Sequence, residues 1–249
     1  MIHPVMLITG GGRGIGAATA KLAAQRGYAV GVNYLRDRAS AESVAAAIRA
    51  EGGQAVALQA DVSKEDDVVR LFAEVDRQLG PVTALVNNAG VLERQMRVDQ
   101  MDAARWARVL ATNVTGSFLC AREAIRRMST KQGGNGGAIV NISSAAARLG
   151  SPGEYVDYAA SKAAVEAFTI GLAKEVAQEG IRVNAVRPGV IYTTIHADGG
   201  EPGRVDRVKD AVPMKRGGQP EEVARAILWL LSYEAGYSTG TFIDVSGGR

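Results

Sequence analysis

Cysteine and histidine are scarce in this 249-residue sequence, and their scarcity bears on two classes of site. Cys120 is the only cysteine, which excludes an internal disulfide and favours a reducing, cytoplasmic location. Because Cys120 lies in an apolar helical stretch, we expect a small buried hydrophobic residue and not a nucleophile. His3 and His196 are the only histidines and lie far apart, so no metal site is expected.

The sequence also lacks long apolar runs and blocks of like charge. No apolar run approaches the roughly 20 residues that a membrane-spanning helix needs, and no signal peptide is visible before the first predicted strand, so no membrane association is expected. The net charge of +3 comes from dispersed lysines and arginines, which gives little support for nucleic-acid binding. This small positive excess would suit an anionic cofactor.

What the sequence does contain is a regular alternation of short apolar runs and helical stretches. We predict strands at 5–9, 29–33, 55–59, 84–87, 138–143, 181–187 and 242–245, with helices between them. This alternation predicts one α/β domain over residues 1–249, a single-domain Rossmann fold with a doubly wound, seven-stranded parallel sheet flanked by helices. Segment 193–213 is rich in turn residues and predicts a loop that covers a ligand.

A glycine cluster joins the first predicted strand to the first helix. Glycines permit a tight turn and let main-chain amides approach a diphosphate, while the positive N-terminus of the next helix favours the anion. The position between strand and helix is the context that a nucleotide-binding turn requires. The spacing Gly10, Gly14, Gly16 differs from the commonest dinucleotide fingerprint.

Tyr158 and Lys162 form a second candidate site, because residues four apart lie on one face of a helix. A positive charge beside a phenol favours the phenolate, so we expect Lys162 to lower a tyrosine pKa that is ordinarily about 10. Tyr158 is then a candidate proton donor and acceptor. Taken alone, the spacing is better explained by an ordinary helix with a half-buried tyrosine and a solvated lysine.

The order of these features resembles the classical short-chain dehydrogenase/reductase family, above all its bacterial carbonyl reductase, ketoacyl reductase and glucose 1-dehydrogenase-like members. The family motif Thr-Gly-x-x-x-Gly-x-Gly is matched by residues 9–16, Asn-Asn-Ala-Gly by 87–90, and the Pro-Gly turn after the sixth strand by 188–189. The helical asparagine, the serine, the tyrosine and the lysine of the family are matched by Asn113, Ser144, Tyr158 and Lys162. The resemblance covers essentially the whole chain.

This resemblance implies an NAD(P)-dependent oxidoreductase that transfers hydride between the cofactor and a carbonyl or secondary alcohol. Tyr158 would give a proton to the carbonyl oxygen, and Ser144 would hydrogen-bond the same oxygen. Lys162 would bind the nicotinamide ribose, and Asn113 would hold a proton-relay water; a hydrogen bond to its own helix backbone is the other explanation for Asn113. The implied cofactor-binding residues are Gly10, Gly12, Arg13, Gly14, Ile15, Gly16, Asn33, Tyr34, Arg36, Asp61, Val62, Asn87, Ala89, Gly90, Tyr158, Lys162, Pro188, Gly189, Ile191 and Thr193. A cap or turn residue is an equally good explanation of Asp61.

Two features depart from the family pattern. The loop between Ser144 and Tyr158 is one residue longer than usual, and Ser143 competes with Ser144, because only one of two successive strand residues faces the cleft. We favour Ser144, where the strand is predicted to end.

The second departure follows the second strand, where NAD-preferring members carry an acidic residue and this chain carries Asn33-Tyr34-Leu35-Arg36. An acidic side chain would repel a 2′-phosphate, whereas Arg13 and Arg36 can pair with one. NADP(H) is therefore expected, with NAD(H) as the alternative cofactor. Solvated surface charge is the other explanation of both arginines.

The expected partner is a small-molecule carbonyl or alcohol substrate, bounded by 94–95, 148–155 and the loop around His196. The polar side chains of Glu154, His196 and Arg204 slightly favour a hydroxylated or anionic compound, although lid hinges and surface charges explain them better. A non-catalytic NADP-binding scaffold would be expected to have lost the serine, tyrosine or lysine, and an epimerase or dehydratase usually has an added substrate domain. A homotetramer is expected from the resemblance alone.

Overall fold

The computed structural model describes residues 3–249 and contains one seven-stranded sheet. The strands are β1 (Val5–Ile8), β2 (Ala29–Tyr34), β3 (Ala55–Gln59), β4 (Ala84–Asn87), β5 (Gly137–Ile142), β6 (Ile181–Pro188) and β7 (Phe242–Val245). All neighbouring strands pair in parallel, in the order β3-β2-β1-β4-β5-β6-β7. The predicted doubly wound parallel sheet is confirmed.

Helices cover both faces of this sheet. They are α1 (Gly14–Gln25), α2 (Arg38–Ala50), α3 (Glu65–Gln78), α4 (Ala103–Leu110), α5 (Gly116–Met128), α6 (Ala146–Leu149), α7 (Val156–Val176), α8 (Ile195–Asp198), α9 (Arg204–Val208) and α10 (Pro220–Leu231). Because side chains alternate along a strand, Met6 and Ile8 join the core under α1, α2 and α10, while Val5 and Leu7 join the core under α3, α5 and α7. Burial on both faces explains why β1 is apolar throughout.

The connections reverse direction between β1 and β4, the two central strands. From β1 the chain continues through β2 to β3 on one side, and from β4 it continues through β5 and β6 to β7 on the other. In a doubly wound sheet, the loops at the carboxyl ends of the strands separate at such a point and leave a crevice. The fold therefore locates a ligand cleft beyond the ends of β1 and β4.

Two predicted elements differ in detail. The single helix predicted for 102–128 is interrupted by a π-helical turn at Ala111–Thr115, which separates α4 from α5. Segment 193–213 is not an irregular loop, because it contains α8, α9 and a 3₁₀ turn at Lys209–Ala211. Within residues 3–249, no helix combines the length and the apolar character needed to cross a membrane.

Candidate active site

A cleft of about 1670 Å³ opens at the carboxyl ends of the strands and continues under segment 193–213. Its lining brings together most of the residues predicted for the site: Gly10, Gly12, Arg13, Gly14, Ile15, Asn33, Tyr34, Arg36, Asp61, Val62, Ala89, Gly90, Ser144, Tyr158, Lys162, Pro188, Gly189, Ile191 and Thr193. Gly16, Asn87 and Asn113 do not line it. In the described part of the chain, no group of three or more His, Cys, Asp or Glu side chains is arranged to hold a metal ion.

The glycine turn between β1 and α1 fits a diphosphate. Gly10 has φ of +61°, a conformation that glycine adopts without strain. Helix α1 begins at Gly14 with no side-chain cap and no acidic residue in its first turn, so its first main-chain amides carry no competing anion. These features match the negative charge and the hydrogen-bond acceptors of a dinucleotide.

Gly16 supports this turn from behind. A Cβ at Gly16 would lie 2.5 Å from the carbonyl oxygen of Gly10 and 2.7 Å from Nδ2 of Asn88, so only glycine allows α1 to approach the turn this closely. Gly16 is buried behind the turn and does not line the cleft, so its predicted contact with the cofactor stays a prediction.

Thr9 and Asn88 hold the turn against the end of β4, and neither was predicted as a site residue. Oγ1 of Thr9 accepts hydrogen bonds from the main-chain amides of Asn88 at 3.0 Å and Ala89 at 2.9 Å. Nδ2 of Asn88 donates to the carbonyl oxygens of Thr9 at 2.9 Å and Gly10 at 3.0 Å. Both residues belong to the motifs at 9–16 and 87–90, so the motifs carried the signal.

Asn87 ends β4, and its side chain is buried in the interior. Its side-chain amide donates to the carbonyl oxygen of Ser117 at 3.1 Å and to Oδ1 of Asn141 at 2.9 Å, which ties β4 to α5 and β5. This side chain is buried and does not line the cleft, so the predicted contact of Asn87 with the cofactor stays a prediction.

Asn33 and Asp61 reach the cleft, but their polar atoms also organise its wall. Oδ1 of Asn33 accepts from the amide of Gly10 at 3.2 Å, and its Nδ2 donates to the carbonyl oxygen of Ala60 at 3.1 Å. Oδ1 of Asp61 accepts from the amide of Ser63 at 3.0 Å and from its hydroxyl at 2.6 Å. Asp61 is thus a turn residue that also lines the cleft, so its role in the turn is compatible with the contact to the cofactor that the sequence predicts.

The two arginines considered for a 2′-phosphate have different surroundings. Arg13 pairs with Asp198 of α8 at 2.5 Å, so it links the glycine turn to segment 193–213. Arg36 is exposed on the cleft wall beyond β2. The end of β2 carries Asn33 and Tyr34, and not the acidic residue of NAD-preferring family members. Asp37, the next residue, caps α2 by accepting from the amide of Ser40 at 3.0 Å.

Tyr158 and Lys162 lie on the cleft-facing side of α7. Nζ of Lys162 is 5.5 Å from the centre of the Tyr158 ring and donates to the carbonyl oxygen of Ile142 at 2.7 Å. Burial raises the pKa of the Tyr158 phenol to about 12, and a hydrogen bond with Ser144 opposes this rise. Burial also lowers the pKa of Lys162 to about 8.

These directions correct the expected electrostatics of the pair. Lys162 was expected to lower the tyrosine pKa, but removal of the phenol from water raises it, and the only opposing contribution comes from Ser144. Tyr158 is therefore protonated at neutral pH, and Lys162 loses its proton at a lower pH than an exposed lysine does.

The two serines at the end of β5 have separate environments. Ser144 lies close enough to the Tyr158 phenol to oppose the rise in its pKa, whereas the hydroxyl of Ser143 donates to Oε1 of Glu166 at 2.7 Å. Glu166 is held in turn by Arg187, through Nε at 2.6 Å and Nη2 at 2.8 Å. Ser144 is thus the serine beside the tyrosine, and Ser143 is fixed by an ion pair under α7.

Asn113 occupies the π-helical turn and is fully buried. Its Oδ1 accepts from the amide of Val91 at 2.8 Å, and its Nδ2 donates to the carbonyl oxygen of Val91 at 3.2 Å and to Oγ of Ser161 at 2.9 Å. The alternative of a side-chain bond to its own helix is wrong, because the partners lie on another loop and on α7. A Cβ at Gly90 would lie 3.5 Å from both Oδ1 of Asn113 and Nζ of Lys162, so Asn113 lies just across Gly90 from the ammonium.

Charged side chains close the other end of the cleft. Arg204 pairs with Glu154 at 2.5 Å, Arg207 pairs with both Glu154 at 3.2 Å and Glu201, and Gln95 donates to Glu201 at 2.5 Å. Hydrogen bonding to Arg207 is the main cause that lowers the pKa of Glu201 to about 2. This cluster joins the loops that contain residues 95 and 154 to segment 193–213.

A doubly wound sheet with a glycine turn at its switch point, and a buried tyrosine–lysine pair in the same cleft, defines a nucleotide-dependent oxidoreductase as the class of protein. Residues 10–249 match the family model described as enoyl-(acyl carrier protein) reductase. The chain belongs to the short-chain dehydrogenase/reductase family.

Relatives match over nearly their full length. The uncharacterized oxidoreductase YgfF of Escherichia coli (strain K12) is 61% identical over 245 residues, which cover 98% of this chain and 99% of that protein. A 3-oxoacyl-[acyl-carrier-protein] reductase of Synechocystis is 41% identical over 245 residues, covering 98% and 96%. The 3-oxoacyl-[acyl-carrier-protein] reductase FabG of Staphylococcus aureus (strain N315) is 37% identical over 242 residues, covering 97% and 96%.

These similarities show an enzyme that uses a nicotinamide cofactor to transfer hydride to or from a small-molecule carbonyl or alcohol. They give no support to the alternative of a non-catalytic scaffold.

Proposed function

We propose that the chain catalyses the NADP(H)-dependent interconversion of a carbonyl compound and its alcohol, with Ser144, Tyr158 and Lys162 as catalytic residues. The observation that carries the proposal is that Ser144, Tyr158 and Lys162 line the same cleft as the glycine turn, with the Lys162 ammonium 5.5 Å from the centre of the Tyr158 ring. Tyr158, the proposed proton donor, thus lines the same cleft as the glycine turn, which we propose binds the cofactor.

In this mechanism the chain supplies the proton and the orientation. A pKa of about 12 keeps the Tyr158 phenol protonated at neutral pH, so it can donate to the carbonyl oxygen during reduction. The Ser144 hydroxyl lines the same cleft and would hydrogen-bond the same oxygen. When bound in this cleft, NADPH would supply the hydride.

Lys162 and Asn113 support this step. An ammonium has three donors, of which one is used on Ile142, so Lys162 retains donors for the ribose hydroxyls. We propose that Asn113 fixes the 88–91 loop against Lys162 and so contributes to the proton relay. Its buried bonds to Val91 and Ser161 support this role.

The cofactor preference rests on Arg36. Its exposed guanidinium and the absence of an acidic residue at the end of β2 favour a 2′-phosphate. Arg13 is a weaker candidate, because Asp198 competes for it. We therefore propose NADP(H) over NAD(H), with the glycine turn, Asp61 to Val62, Ala89 to Gly90, and Pro188 to Thr193 as the remaining contacts.

Two substrate classes are considered. Two relatives are named 3-oxoacyl-[acyl-carrier-protein] reductases, so a 3-oxoacyl thioester is the first candidate. The cluster of Glu154, Arg204 and Glu201 favours a free, hydroxylated carbonyl compound as the second. In either case we propose that 193–213 is the substrate loop of a single domain.

We propose a homotetramer in the cytoplasm as the working form. Phe118 of α5 and Ile170 of α7 are 45% and 41% exposed, and Phe118 stacks edge-on with Phe168 at 6.3 Å, which supports association through the outer faces of these helices. The single buried cysteine suits a reducing compartment.

The decisive experiment compares the wild-type enzyme with Tyr158→Phe. NADPH oxidation is followed with acetoacetyl-CoA, ethyl acetoacetate and 4-nitrobenzaldehyde, and NADP⁺ reduction with glucose. Loss of the proton donor should lower kcat at least about 100-fold and leave the Kd of NADPH unchanged.

Tyr233→Phe is the matched control, because Tyr233 is exposed and lies outside the cleft. Native turnover in Tyr158→Phe would contradict the mechanism. Tight NADPH binding by the wild-type protein without turnover of any compound would instead favour the scaffold.

A further inference from the structure

A buried ion pair lies directly before the tyrosine of the proposed mechanism. Arg105 of α4 and Asp157 in the first turn of α7 are 52 residues apart in sequence, and their side chains are only 5% and 2% exposed. Most other ion pairs in residues 3–249 are far more exposed. Arg105 is therefore not a solvated surface arginine.

The guanidinium of Arg105 joins two parts of the cleft. Its Nε donates to Oδ2 of Asp157 at 2.7 Å, and its Nη2 donates to Oδ1 at 3.3 Å. The remaining nitrogen, Nη1, donates to the carbonyl oxygen of Arg94 at 2.6 Å. One planar group thus fixes the start of α7 and the loop after β4, and lysine could not reproduce this geometry.

Asp157 transmits this constraint to the tyrosine. Its Oδ1 also accepts from the main-chain amide of Tyr158 at 2.9 Å. The loop that contains Glu154 ends at Tyr155, just before α7 begins. The carbonyl oxygen of Glu154 accepts a hydrogen bond from the amide of Met96 at 3.0 Å. The ion pair therefore lies at the start of α7, directly before Tyr158, where this helix contacts the loops that contain residues 94–96 and 154.

Stability alone is a weak explanation for burying this pair. Removal of two charges from water is costly, and apolar residues of similar volume are often as stable in such positions. An ion pair does, however, hold its partners in one orientation, which apolar contacts do not require. Orientation matters most for a group that must meet a substrate oxygen at hydrogen-bond distance.

We infer that Arg105 and Asp157 are positioning residues, which hold the Tyr158 phenol and the 94–96 loop in register for proton transfer. This inference rests on the proposed role of Tyr158. Neither side chain gives or takes a proton. The pair acts on the chemical step and changes nucleotide binding little, because the glycine turn lies on other elements and Lys162, which we propose binds the ribose, lies more than one turn further along α7.

The test uses the full-length enzyme and the double variant Arg105→Met/Asp157→Leu, which removes both charges and retains apolar volume. The enzyme is saturated with NADPH and mixed with ethyl acetoacetate, and the single-turnover rate is expressed per enzyme molecule that binds NADPH. We expect this rate to fall about 10- to 100-fold, because displacement of a reacting group by about 1 Å has effects of this size. The Kd of NADPH should stay within twofold of the wild-type value.

Arg127→Met/Asp76→Leu is the matched control. This pair also joins two helices, α5 and α3, at 2.7 Å, but lies outside the cleft. Its rate per NADPH-bound enzyme should equal that of the wild type, even if the melting temperature falls.

Arg105→Lys provides a second reading if the double variant does not fold. It keeps the charge and loses the planar fork, so we expect a smaller decrease in the same rate. A wild-type rate in the double variant, or in Arg105→Lys if the double variant is unfolded, would overturn the inference.

Tyr158→Phe in the same assay separates the two proposals. Wild-type turnover in that variant refutes the proposed mechanism, whereas an inactive Tyr158→Phe beside a fully active Arg105 variant refutes only the positioning role.

Discussion

At the end of the cleft where we propose that the nucleotide binds, called the nucleotide end below, the site is built largely from main chain: the turn at Gly10, the start of α1 at Gly14 and, behind the turn, the close approach at Gly16. At the substrate end, the wall is formed by side chains from distant segments, such as Arg204 with Glu154 and Arg105 with Asp157. A main-chain site depends on residue types at fixed spacing. A side-chain site depends on which loops lie together in the fold. The residues of the main-chain site therefore fall in one short sequence motif, whereas those of the side-chain site are dispersed over the chain.

The largest expected effect comes from Gly16→Ala at the nucleotide end. The added methyl group would lie 2.5 Å from the carbonyl oxygen of Gly10, so α1 must move away from the turn. We expect the free energy of unfolding to fall by about 1–3 kcal/mol and NADPH binding to weaken at least about 100-fold. Thermal unfolding and a fluorescence titration with NADPH measure the two effects.

Gly203→Ala is the control, since a Cβ there meets no atom within 4 Å and its φ is −85°. If Gly16→Ala binds NADPH as tightly as the control does, the close approach of α1 to the Gly10 turn is not required for binding of the nucleotide.

The dependence of reduction on pH should separate the two ends further. Burial lowers the pKa of Lys162 to about 8, so its positive charge is present below that pH and is lost as the pH rises through it. We expect kcat/KM for ethyl acetoacetate to be constant near pH 7 and to fall by about tenfold per pH unit above the pKa. Steady-state rates between pH 7 and 10 provide the measurement.

The Kd of NADPH should change much less over this range, because Lys162 contributes only its bonds to the ribose hydroxyls and the glycine turn has no titrating side chain. Lys162→Arg should remove the alkaline decrease in whatever activity it retains, since a guanidinium stays charged. A profile that is flat to pH 10 in the wild-type enzyme would show that the charge on Lys162 is not needed.

The smallest effect is expected for Arg36→Ala, which tests whether one side chain sets the cofactor preference of an otherwise main-chain site. Loss of a charge-assisted bond to the 2′-phosphate should raise the Kd of NADPH about tenfold and leave the Kd of NADH unchanged. Both constants come from the same fluorescence titration.

Arg38→Ala is the matched control, because Arg38 is also exposed but does not line the cleft. Equal weakening of NADPH and NADH in Arg36→Ala would mean that Arg36 acts on a part of the nucleotide common to both, and the preference for NADP(H) would have to be abandoned.

The success and failure of the sequence-based predictions follow the same division. Gly10, Tyr158 and Lys162 were found because each lies in a motif whose spacing is set by a single turn or helix. Asn88 lines the cleft and Asn87 does not, because neighbouring residues at a strand end point in opposite directions, and the motif does not say which asparagine faces the cleft.

The direction of the Tyr158 pKa could not be read from the Tyr-x-x-x-Lys spacing. The spacing revealed a charge nearby, but burial depends on residues from β5 and α7 together, and burial has the larger effect. The partners of Asn113 were missed for a related reason, because Val91 lies 22 residues away on another loop.

The sequence by itself determined the order of strands and helices, the family and the location of the nucleotide turn, because these depend on periodicity and on residue types a few positions apart. Only the tertiary structure decided which side chains share the cleft, which serine meets Tyr158, and how Arg105 reaches Asp157. The physical reason is that ion pairing and burial depend on distance in space, and the folded sheet brings together residues that lie far apart in the sequence.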